Sequence, residues 1–262
     1  MPPTAEHNCG TPGQSELLRF PQLSSLSANV SDRLRGLCRL HSYTSNQTVM
    51  GAGEHAKSIG LVSEGILRME KTLLDGRHHI VGLLVEGDIF GRVFDGPNEY
   101  AIEAATDAKV VYFPRAQFES LLAESPELER AVMLNLLHEL DRARDWMLIV
   151  SSPKIRTRLA GFLMMLCTRF GDIDHILVAS GERLRINIPI NRSDLASLLG
   201  TRAESISRAF HALADEGLIA IQQPNQIDIL DLQGLGDEAG EDFLESGPSL
   251  TALLRAVRRK AS

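Results

Sequence analysis

The apolar positions change period along the chain, and each change marks an element boundary. From Ser15 to Leu40 they recur at helical spacing (Leu17, Leu18, Leu23, Leu26, Val30, Leu34, Leu37), interrupted at Pro21, and Ser31-Asp32 is the predicted cap of the second piece. From about Thr44 short β-rich runs take over: Ile59–Val62, Ile66–Met69, His79–Val85, Tyr100–Ala104 and Lys109–Phe113. Gly53, Gly65, Gly76 and Gly87 stand in the turns at intervals of 11 or 12 residues, where tight bends need a residue that tolerates positive φ. Short, evenly spaced strands with glycine corners predict a small antiparallel barrel or jelly roll.

From Pro114 to about Val150 the pattern is helical again. Met133, Leu136, Leu140, Ala143, Met147 and Val150 follow one another at spacings of 3, 4, 3, 4 and 3. That seam predicts two copies of the helix packed along their length, although the same spacing also serves a helix lying on its own barrel. Ser151-Ser152-Pro153 breaks the pattern, and a new helix is expected over Lys154–Arg169 with Ile155, Leu159, Phe162, Leu163 and Leu166 inward.

The expected class is α+β. Residues 1–14 form a disordered tail, 15–125 a β-roll sensor domain with flanking helices, and 126–152 a dimerisation helix and hinge. Residues 153–232 form a winged helix-turn-helix domain and 233–262 an acidic, glycine-rich tail that ends basic, with a short helix at Ser249–Arg258.

Residues 184–230 carry the chemistry. Leu184–Ile188 alternates as a strand, Asn191 caps a helix over Arg192–Leu199, and Gly200-Thr201-Arg202 makes a tight turn. A second helix, Ala203–Glu216, puts Ile206, Phe210, Leu213 and Ala214 on its core face and ends at Gly217. Leu218–Gln222 and Ile227–Leu230 form a hairpin around Pro224-Asn225. Helix, glycine turn, helix and hairpin make a winged helix-turn-helix, whose second helix meets base edges in the major groove. Glu204, Ser207 and Arg208 share the outward face: Arg208 can donate twice to a guanine, Glu204 can accept from a cytosine, and Ser207 can reach a neighbouring base. An exposed i, i+4 ion pair between Glu204 and Arg208 is the plain alternative. Asn191, Arg192, Thr201, Arg202 and Ser205 are the phosphate-contact candidates, through side chains and the amides of the helix start.

The chain is 262 residues long with a formal net charge of -7, which excludes a histone-like basic coat. The charge is unevenly placed, however. Within 183–215, Arg183, Arg185, Arg192, Arg202 and Arg208 face only Asp194, Glu204 and Asp215, a local excess suited to phosphate. No apolar run reaches the ~20 residues that span a bilayer, and Met1–Asn8 has neither the basic cluster nor the apolar run of a secretory leader. Cys9, Cys38 and Cys167 form no CxxC pair, so reduced thiols in the cytoplasm are expected, with Cys167 buried.

A glycine-cornered β-roll, a long seam helix and a C-terminal winged helix, together about residues 20–231, resemble the Crp/Fnr family of bacterial transcription regulators. Ala203-Glu204-Ser205-Ile206-Ser207-Arg208 is similar to the E-x-x-S-R recognition helix of the FNR and FixK branch, whereas the CRP branch has arginine at the place of Ala203 and glycine at that of Ser207. The resemblance implies a homodimer on a TTGAT-type palindrome and contact with RNA polymerase through surface loops, of which Phe94–Asn98 is the candidate. It implies no catalysis and no metal.

The departures bear on the effector. At the place of the Arg-Ser pair that clamps a cyclic phosphate in CRP-like proteins stands Asn98-Glu99-Tyr100, whose carboxylate would repel an anion. The roll cysteine of the FNR iron–sulfur site falls at Tyr112, so Cys9 and Cys38 cannot complete a four-cysteine set. FNR's acid on the dimer seam falls at Ala143, which implies a standing dimer. No cofactor is therefore expected. Haem is the alternative, with His41, His55, His78, His79, His138 or a methionine as axial ligand. A cupin-type metal enzyme on the same roll is disfavoured, because adjacent His78 and His79 point to opposite strand faces.

Overall fold

The computed structural model describes residues 7–8, 23, 26–72, 78–94, 96–168, 170, 176–180 and 183–240. The rest of the tail 1–14, Cys9, Gly76 and the helix expected at 249–258 lie outside these. The chain forms two compact units that divide after Asp141.

The first unit is the β-roll. Its strands are β1 (His7–Asn8), β2 (Arg39–Tyr43), β3 (Thr48–Met50), β4 (Ser58–Glu64), β5 (Leu67–Thr72), β6 (His78–Leu84), β7 (Ile89–Phe90), β8 (Ala101–Ala104) and β9 (Ala108–Pro114). They make two antiparallel sheets, ordered β1-β2-β9-β4-β7 and β3-β8-β5-β6. One face of the first sheet buries Tyr43, Val62 and Val110 in a cluster with Leu67, Leu84, Ile102 and Ala104 of the second. Its other face carries helices α1 (Ala28–Leu37), α2 (Arg115–Glu124) and the start of α3 (Pro126–Ser151), through Leu34, Phe118, Leu121, Leu128 and Val132. The alternating sequence pattern thus serves two cores at once.

Two local expectations are corrected here. His7–Asn8, placed in a disordered tail, pairs with Arg39 and Leu40. The cap of α1 is Ser27, not Ser31: Ser31 lies inside the helix on its buried face. The Ser27 amide and hydroxyl also donate to the Glu127 carboxylate at 2.9 and 2.5 Å, a partner one hundred residues away.

Gly53, Gly65 and Gly87 all adopt positive φ, as their turns require. At Gly65 (φ +83°) an added Cβ would also fall 2.3 Å from the Asp107 carbonyl oxygen, which is backbone and cannot swing away. Gly65→Ala should therefore cost at least about 1–3 kcal/mol, read as a lower urea midpoint. An unchanged midpoint would refute this account of the turn.

The second unit begins within α3 and is built around α4 (Ile155–Thr168), which is buried on all sides from Leu159 to Cys167. The Trp146 ring meets Phe162 edge-on at 6.2 Å, so the last turns of α3 belong to this unit and the division falls before the Ser151–Pro153 break. The helix starts at Ile155, one residue later than expected, and the Lys154 carbonyl accepts from the Arg158 amide at 3.1 Å. Around it lie β10 (Leu177–Ser180), β11 (Arg183–Asn187), α5 (Arg192–Leu198), α6 (Ala203–Asp215), β12 (Ile219–Gln223), β13 (Gln226–Ile229) and α7 (Leu232–Ala239), with the sheet ordered β10-β11-β13-β12.

α7 corrects the expected tail. Asp231 caps it by accepting from the Gly234 amide at 2.9 Å, and Leu232, Leu235 and Ala239 are buried. Glu238 accepts from Thr157 at 2.8 Å and from Arg156, which also reaches Glu216. Burial alone would raise the Glu238 carboxyl, but these donors outweigh it and hold it below its usual range. A carboxyl depressed in the folded state stabilises above its ordinary pKa, and that stability is lost as pH falls through the lowered value. Glu238→Gln should thus lower the urea midpoint at neutral pH by the equivalent of about 1–2 kcal/mol, and the gap to the parent should close in acid. A gap independent of pH would refute the ionic account.

Candidate nucleic-acid interface

α5 starts where expected: the Asn191 side chain accepts from the Asp194 amide at 2.9 Å. Leu195, Ala196 and Leu198 are buried, which fixes the roll of the helix. Gly200 (φ +65°) reverses the chain, and the Thr201 amide bonds the Ala196 carbonyl at 2.8 Å. The Arg158 guanidinium spans this corner, donating to the Ser152 carbonyl at 2.7 Å and to the Leu199 carbonyl at 2.8 Å.

α6 follows at once. Ile206, Ala209, Phe210 and Leu213 form its buried stripe; Ala209 takes the place predicted for Ala214, which is only half-buried. Glu204, Ser207 and Arg208 are exposed on the opposite face, as is His211 one turn further on, which pattern reading had passed over. Arg208 donates to the Ser205 hydroxyl at 3.1 Å rather than pairing with Glu204, and the Ser207 hydroxyl bonds back to the Ala203 carbonyl at 3.1 Å. A carboxylate, a hydroxyl and a guanidinium stand on one rigid, solvent-facing surface, the chemistry that base edges require. Beside it, Ile219–Gln223 and Gln226–Ile229 form the hairpin with Pro224-Asn225 at its tip.

The phosphate candidates separate. Arg202, at the cap position of α6, is exposed. Asn191 is exposed with its oxygen engaged in the cap, while Thr201 and Ser205 are half-buried. Arg192 is corrected: its guanidinium lies over the Phe210 ring at 3.3 Å, and Nη1 is buried with no hydrogen-bond partner. Burial pulls its pKa down to about 10, so it stays charged at neutral pH while serving to seat α5 on α6. Arg185 is committed as well, donating to both oxygens of buried Asp228 at 2.6 and 3.1 Å. Of the five arginines counted in the sequence, Arg183, Arg202 and Arg208 remain exposed.

The seam residues of α3 lie mainly at the surface. Met133, Leu136, Leu140 and Met147 are 53%, 52%, 44% and 58% exposed, while Leu128, Ala131, Val132 and Asn135 form the face that packs on the roll. Ala143 is exposed and Val150 half-buried. A row of large apolar side chains on one face of a helix is unusual for surface in contact with water.

Residues 40–125 match the cyclic nucleotide-binding domain family and residues 157–238 the Crp-like helix-turn-helix domain family, the latter including α7. The transcriptional activator protein FnrL of Cereibacter sphaeroides is 32% identical over 201 residues, 77% of this chain and 80% of FnrL. The nitrogen fixation regulation protein FixK of Bradyrhizobium diazoefficiens is 31% identical over 198 residues, 76% and 81% of the two chains. Among solved structures, FixK2 from Bradyrhizobium japonicum superposes with a TM-score of 0.66 at 27% identity, covering 76% of this chain and 96% of that one. On fold, domain order and sequence alike, the chain belongs to the Crp/Fnr family of transcription regulators.

Proposed function

We propose that the chain is a homodimeric, sequence-specific DNA-binding activator of transcription, and not an enzyme, that reads a TTGAT-type palindrome in the cytoplasm. The observation that carries this reading is the face of α6, where Glu204, Ser207 and Arg208 are exposed opposite a fully buried stripe. Arg202, Arg183 and the amides at the starts of α5 and α6 supply phosphate contacts, which position the protein without reading sequence. Pairing through Met133, Leu136, Leu140, Ala143, Met147 and Val150 covers the exposed seam and doubles the reading surface. The related FnrL is named an activator, which supports activation here. Phe94, 65% exposed with φ +68°, offers the RNA polymerase an exposed aromatic side chain.

Neither family effector fits the residues present. At the cyclic-phosphate position Glu99 faces Lys71 at 3.9 Å, and the Lys71 ammonium also lies over the Tyr100 ring at 5.2 Å, so the nearby cation is already matched by an acid. At the roll position of the iron–sulfur site, the Tyr112 hydroxyl is bonded to Tyr43 at 2.9 Å. Cys38 and Cys167 are buried, and burial pushes the Cys167 thiol up to about 12, away from the thiolate a metal would need. Haem has one point in its favour, His41 and His55 on one cavity. That cavity is also lined by Arg39, Glu54 and Lys57, where a macrocycle needs apolar walls.

Footprinting on a TTGAT palindrome, with sedimentation and an absorption spectrum of the same sample, tests the reading. Symmetric protection by a dimer without a Soret band is expected. Protection indifferent to sequence, or a monomer at micromolar concentration, would overturn it.

A further inference from the structure

The exposed face of α6 does not end at Arg208. At about 100° and 1.5 Å per residue, His211 lies within about 20° of Glu204 around the helix and about 10 Å further along it. Ser207 stands about 60° to one side of Glu204 and Arg208 about 40° to the other, so His211 falls between them, one turn on. It is exposed, and among the described residues its imidazole has no hydrogen-bond or ion-pair partner. Ser207 and Arg208 are each engaged, with the Ala203 carbonyl and the Ser205 hydroxyl. Nothing bulky flanks it in the same turn: Ala212 and Ala214 are small and half-buried.

We propose that His211 is a positioning residue of the DNA complex, donating an imidazole N–H to a backbone phosphate at the wall of the major groove. This rests on the reading of α6 as the helix that enters the groove. Glu204, Ser207 and Arg208, in its first two turns, then occupy the floor. The groove is roughly 12 Å wide, so a side chain about 10 Å beyond Glu204 along the helix meets the wall and not the same base pairs. A neutral imidazole carries one N–H donor in either tautomer, so the contact needs no charge.

The two ends of the helix fit that placement. Arg202, exposed at the cap of α6, precedes His211 by about 13 Å along the axis, close to the width of the groove. The two donors therefore bracket the three readers, one toward each wall, and such backbone contacts fix register without reading sequence. The surface turns acidic immediately beyond. Asp215, four residues on, is exposed and would repel phosphate, while the Glu216 carboxylate is taken by Arg156. His211 is thus the last side-chain donor on this face of α6 before those acids.

The test compares the parent, H211A and H211K as full chains, titrated onto the TTGAT palindrome and onto random duplex across a range of salt. The side chain is exposed, and equal thermal midpoints will show that the variants are folded. H211A should weaken both duplexes alike, by about five- to thirtyfold for the two copies in the proposed dimer. H211K sets a full charge at the same place, so both duplexes should bind more tightly at low salt. Its logarithmic salt slope should steepen by about 0.9 for each lysine, which a residue that only props the helix would not produce. The proposal is overturned if H211A binds both duplexes as the parent does, if its loss is confined to the palindrome, or if H211K leaves the salt slope unchanged. A parent with no preference for the palindrome over random duplex sinks the recognition reading itself. A parent with that preference, beside variants that bind unchanged, sinks the His211 contact alone.

Discussion

Arg208→Ala should lose about 1–3 kcal/mol at each half-site of the specific palindrome, while affinity for random duplex at the same salt changes little. The guanidinium is exposed on α6 and held only by the Ser205 hydroxyl, so its removal leaves the fold intact. What disappears is a forked donor matched to the paired acceptors of guanine, and with it the preference at that base pair. Fluorescence anisotropy on the palindrome, on a variant changed at that guanine and on random DNA separates the outcomes. An equal loss on all three would make Arg208 a phosphate contact and remove the basis for reading sequence through this face.

Leu140→Glu should convert the proposed dimer to monomer, with a fall of about 10²–10⁴ in affinity for the proposed palindrome as the second half-site is no longer held nearby. Leu140 lies at the middle of the exposed seam, 44% exposed in the single chain, so a charge there costs the protomer little. In the proposed dimer the same position meets its own copy across the two-fold axis, and two carboxylates would be desolvated side by side. Sedimentation velocity reads the first effect and binding to a half-site duplex the second. A variant that stays dimeric would assign the seam another role.

Most of the candidate face could be read from the chain because its signals are local. The α6 face follows from the placing of Ile206, Phe210 and Leu213, and the α5 cap from one asparagine before an apolar period. The roll strands followed from glycine corners, and at Gly53, Gly65 and Gly87 the backbone angles bear this out. What escaped depends on distant partners. Ser27 caps α1 beside Glu127, a residue from another helix, whereas Ser31 looked equally suitable in isolation. The strand β10 is short and exists by pairing with β11. α7 reads as an acidic, glycine-rich tail until Arg156 and Thr157 are set against Glu238. Arg192 counts as basic surface until Phe210 is found beneath it. The cavity on Arg39, His41 and Tyr112 is assembled from β2, β9 and the loop before β4, so no single window of sequence contains it.

One clamp has a mechanical consequence. Arg158 grips the carbonyl of Ser152, just beyond the end of the long helix, and that of Leu199, just before the reversal at Gly200. The connector at Ser152 and the turn at Leu199 are therefore tied together by one side chain. On the proposed reading, a change in the course of the chain after Ser152 passes through that grip to the turn that precedes Arg208.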